Sequence, residues 1–249
     1  DVILGDPQRD ELVAQVLEDF RVVLAHNPGR DVELARAMED AGCLNSEIAG
    51  LWPGDGDDAR LRRARFFCDK GQWDWADRDL PAREPEAAGD ARWFHAVRGA
   101  MQLRRGEPAA GRESWKRAVA FSQAGYDSTF EPWLVSQARG LPLEDCELLA
   151  EALAPDLGRF TVLAHALAQY LVDGQRWVTA NRLLQHVAER SPELSALWAE
   201  LALETGDFTM ALRRARSAWE LDLSSSRWGT WYDQFQRRLR EREAKGRFH

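Results

Sequence analysis

The 249-residue chain is poor in isoleucine and threonine and has no alternating run of β-branched residues. Sheets are built from such runs, so nothing here supports a β fold. Lysine is almost missing, with 3 Lys against 30 Arg, a skew that reads as coding bias rather than function. The three cysteines, Cys43, Cys68 and Cys146, are far apart and form no Cys-x-x-Cys. They are too few for a disulfide framework. Buried free thiols are expected, with one bridge and a spare thiol as the alternative in an exported protein. No apolar stretch approaches the roughly 18 residues that a membrane-spanning helix needs. Excess positive charge is lacking too: the net charge is −8, and nucleic-acid binding needs a basic footprint, so no nucleic-acid partner is expected.

Catalytic signatures are absent as well. His26, His95, His165, His186 and His249 never fall at metal-ligand spacing, and there is no His-Glu-x-x-His. No Gly-x-Ser-x-Gly elbow and no phosphate loop occur. Asp55-Gly56-Asp57-Asp58 has a calcium-loop flavour but lacks the alternating ligands and the closing Glu. It reads instead as a helix start, with Asp57 or Asp58 accepting from free backbone N–H groups. Catalytic residues, metal ligands and cofactors are therefore all expected to be none. The sequence opens on Asp1 rather than Met, which leaves open an excised domain, a trimmed chain and a mature protein that has lost a leader. The compartment, cytoplasmic or exported, and the oligomeric state stay open with it.

What the chain does have is a spacing. A small residue is followed twelve positions later by another in Ala64/Ala76, Gly99/Gly111, Ala168/Ala180 and Ala199/Ala211. Between the members of each pair lies a turn glycine: Gly71, Gly106, Gly174 and Gly206. The first members are 35, 69 and 31 residues apart, a period near 34 with one degenerate copy skipped. Two antiparallel helices cross closely only where both carry little side chain. Steps of four and then three keep one face inward, as in Gly111, Trp115, Ala118, then Ala180, Leu184, Val187, then Ala211, Ala215, Ala218.

At these residues the chain resembles the tetratricopeptide-repeat family over roughly 57–223, most clearly in Phe160–Pro192 and Pro192–Leu223. The 57–83 copy departs at Arg83 and is cut short by Pro81, the 126–155 copy lacks both small residues, and the 160–190 copy carries one extra residue after its glycine. The resemblance implies an all-α fold, a right-handed superhelix of antiparallel helix pairs. Three segments are expected: 1–52, a helical segment or degenerate repeat; 57–223, the repeats; and 224–249, a capping helix with a basic tail. Helices are predicted over about 10–26, ending at Asn27-Pro28-Gly29, and over about 31–40. The break Trp52-Pro53-Gly54-Asp55-Gly56 is the best candidate boundary. The tail helix, with Trp228, Trp231, Tyr232, Phe235 and Leu239, reads as a cover for the last apolar face.

Eleven tryptophans stand out, and Trp115, Trp198 and Trp219 fall on or beside the inward phase as core. The family's geometry implies that first helices line a concave groove. Its outward positions would be Asp58, Arg65 and Asp69, then Trp93, Ala100 and Arg104, then His165, Gln169 and Asp173, then Glu200 and Glu204. The resemblance thus implies a non-catalytic scaffold with a protein or peptide partner, held by Arg65 and Arg104 at its acidic part and by Glu200 and Glu204 at its basic part. The alternative is a carbohydrate-handling helical scaffold, in polysaccharide export or beside a glycan enzyme, with Trp93 and His165 facing sugar. The clusters Arg60–Arg65 and Arg237–Arg247 read either as sites for acidic partners or as solvated faces paired with neighbouring acids.

Overall fold

The computed structural model describes residues 7–27, 30–121 and 127–246. Among these the regular elements are helical, and the longer helices pack in neighbouring pairs. They are α1 (Pro7–His26), α2 (Asp31–Asp40), α3 (Asn45–Ile48), α4 (Asp57–Asp69), α5 (Trp73–Asp79), α6 (Ala88–Arg104), α7 (Pro108–Ala120), α8 (Phe130–Ala138), α9 (Leu143–Leu153), α10 (Thr161–Asp173), α11 (Trp177–Val187), α12 (Pro192–Glu204), α13 (Phe208–Glu220) and α14 (Ser226–Gly246). The all-α expectation holds. The chain forms two compact units, Asp1–Val97 and Arg98–His249, divided within α6.

In the first unit α1 ends at His26; Pro28 and Gly29, expected to stop it, lie outside the described residues. α1 buries no residue fully. It is held by Arg9, which donates to both carboxylate oxygens of Glu47 at 2.7 and 3.0 Å. Arg21 adds two bonds to the Gly50 carbonyl at 3.1 and 2.8 Å. α4 and α5 cross at Ala64 and Ala76, both wholly buried, after a turn in which Gly71 adopts φ +66°. The Trp52–Gly56 segment is bound to this pair rather than being a loose joint. Arg63 donates to the Trp52 and Gly54 carbonyls at 2.6 and 2.8 Å and to Asp79 at 2.8 Å. Gly56 is the N-cap of α4, so Asp57 and Asp58 fall in its first turn and make no capping bond. They favour the helix there through its dipole.

The second unit repeats one crossing four times. Gly99 faces Gly111, Ala199 and Ala211 share one core cluster, and Ala168 and Ala180 are wholly buried on the paired helices α10 and α11. The copy skipped in the sequence is α8–α9, where Leu134 and Cys146 take the two positions and are 0% and 1% exposed. First-helix positions 64, 99, 134, 168 and 199 are thus 35, 35, 34 and 31 residues apart. The α10–α11 copy keeps the twelve-residue spacing, and the residue after its glycine takes over the turn. Gly174 stays at φ −81° and Gln175 takes the left-handed conformation at φ 59°, five residues before Ala180. In the α6–α7 and α12–α13 pairs Gly106 and Gly206 fill that place.

The second unit is closed by α14. Trp228, Phe235 and Leu239 are buried, Phe235 and Leu239 against Ala199, Ala202, Leu203, Ala211 and Ala215. Trp219 stacks on Tyr232 at 5.4 Å and 7°. Ser191 caps α12 by accepting from the Leu194 N–H at 3.1 Å, with Pro192 in the first turn.

Candidate functional site

The outward positions of the first helices are the place where a ligand is expected. In the first unit Arg65 and Trp93 meet each other. Trp93 is 8% exposed, and the Arg65 guanidinium carbon lies 3.7 Å from its ring centroid. A cation on an aromatic face is worth about 0.5–2 kcal/mol, and that face is thereby closed to a sugar ring. The rest of the Arg60–Arg65 cluster is also occupied within the unit. Arg60 donates to the Arg78 carbonyl at 3.0 Å, and Arg62 bridges Asp58 at 3.0 Å and Asp31 at 3.3 Å. Burial works against the Arg62 charge, but bonding to Asp58 and the nearby Asp31 and Asp90 outweigh it and raise its pKa. Burial, aided by Asp58, lifts the Asp90 carboxyl above its ordinary value. Asp69 is exposed. His95, also in this unit, is 3% exposed and reaches Glu84 with Nε2 at 3.1 Å.

In the second unit Ala100 is buried at 2% exposure. Arg104 donates to the Gly140 carbonyl, and a Cβ on Gly140 would collide with its guanidinium. His165 is half-buried on α10, where burial depresses its pKa and Glu193 opposes the shift. Gln169 donates to Asp173 at 2.8 Å. Glu200 and Glu204 both accept from α14, Glu200 from Arg238 and Glu204 from Arg242 at 2.8 Å. The basic tail is therefore paired in part with acids of α12, and a basic ligand would have to displace it. Lys245 and Arg247 lie outside the residues whose side chains are described.

α10 carries a partly exposed outward stripe. Val162 is 54% exposed, and His165, Gln169 and Asp173 follow it at steps of three and four along one face. Sequence reasoning missed a second feature of this unit, the buried Arg214. It is 8% exposed, and its guanidinium carbon sits 3.6 Å from the Trp198 ring centroid. Trp198 Nε1 donates to Asn181 at 2.7 Å, so α11, α12 and α13 are riveted together. Burial lowers the Arg214 pKa, against a bond to Glu189 at 3.4 Å. The available signal was its place three residues after Ala211, on the inward phase.

Among the described residues no group of three or more His, Cys, Asp or Glu is placed to hold a metal ion. No described helix is long and apolar enough to cross a membrane. No family model matches the chain, no curated protein matches it, and no solved structure matches it.

Proposed function

We propose that the protein is a non-catalytic binding module of tetratricopeptide-repeat type, a right-handed superhelix that holds a segment of a partner protein along the outward faces of its first helices. The observation that carries this reading is the recurrence of one crossing at 64/76, 99/111, 134/146, 168/180 and 199/211. Such an array has no single core, and its outward faces are what it offers to a partner. The ligand stripe is Val162, His165, Gln169 and Asp173 on α10. It combines an exposed apolar side chain, a half-buried imidazole, an amide and a carboxylate. That mixture suits an extended peptide, whose backbone offers both donors and acceptors.

The test is a paired pull-down from the host's lysate with the unaltered chain and a Val162→Asp/Gln169→Arg variant as baits. Both positions lie on the helix surface, so circular dichroism should be the same for the two. A protein retained by the first and lost by the second supports the stripe. Equal retention on both baits, or none on either, overturns it. Reversing Arg65 or Arg104 would be a poorer test, because each guanidinium is held in a contact of the fold.

A further inference from the structure

We draw no further inference here: the strongest candidate, the open cleft in the first unit between the end of α1 and the start of α4, walled by Leu24, Leu51, Trp52 and Pro53, carries nothing because its Arg21 and Arg62 are already bonded to the Gly50 carbonyl and to Asp58, and nothing in the structure shows what fills it.

Discussion

The sharpest consequence of the small-residue crossings concerns Gly99→Ala. A Cβ at this position would stand 2.1 Å from Trp115 Cδ1 and 3.0 Å from the Gly111 carbonyl oxygen. Carbon atoms rest about 3.5 Å apart, so about 1.4 Å of separation must be found. Trp115 is 0% exposed, leaving the indole nowhere to retreat, and the second obstacle is backbone. Replacing a helical glycine by alanine gains up to about 1 kcal/mol in propensity. Overpacking costs about 1–3 kcal/mol, and with both neighbours rigid the cost falls at the upper end or beyond. The net is a loss of about 2 kcal/mol, or about 4–8 °C in melting midpoint for a chain of this size. Gly89→Ala in the same helix is the control. Nothing lies within 4 Å of its added methyl, so its midpoint should hold or rise. The assay is thermal unfolding followed by circular dichroism for Gly99→Ala, Trp115→Leu and the double variant. Trp115→Leu should cost at least about 1 kcal/mol less in the Gly99→Ala background, because it removes the clash. A Gly99→Ala protein as stable as the Gly89→Ala protein would refute the reasoning.

Gln175→Gly should stabilise by about 1 kcal/mol by relieving a left-handed non-glycine residue. Gly174→Ala one position earlier should destabilise, since its methyl would meet Leu143 at 2.5 Å; urea midpoints of the two check this. Phe235→Ala should cost about 3–5 kcal/mol and open α14 to limited proteolysis. Arg238→Ala/Arg242→Ala should cost about 1 kcal/mol or less, vanishing in high salt, because both pairs are largely exposed. For the thiols, burial pushes Cys146 up to about 11 and raises Cys68 further, whereas Cys43 is only half-buried and less displaced. A disulfide reagent at neutral pH should therefore count one accessible thiol in the native chain and three in denaturant, with the Cys43 rate rising as pH rises.

Much of the helical framework was legible because its signal is local. Glycine turns and twelve-residue pairs of small residues announce a close crossing directly, and four of the five crossings carry both. The α8–α9 copy stayed hidden because its crossing is filled by Leu134 and Cys146, which no small-residue pattern can mark. Gln175 was equally hidden: Gly174 holds the place a turn glycine would, yet its missing side chain serves Leu143 instead. The candidate site was harder, because an outward register does not tell whether a charge is already paired. Arg65 on Trp93, Arg104 on Gly140, and Glu200 and Glu204 on the arginines of α14 are long-range pairings. Their two members lie 28 to 38 residues apart in sequence, beyond any local pattern.

α14 also settles how the second unit gives way under mechanical load. A pull applied at the C-terminal end of α14 loads this helix first, and Phe235 and Leu239 hold it against α12 and α13. Once it lifts, the wholly buried Ala211 and Ala215 lose their cover, and each pair behind them is left as a new end. In an array of neighbour contacts such a loss propagates pair by pair rather than all at once. The terminal aromatic cluster is thus a latch whose release sets the force at which the rest begins to unravel.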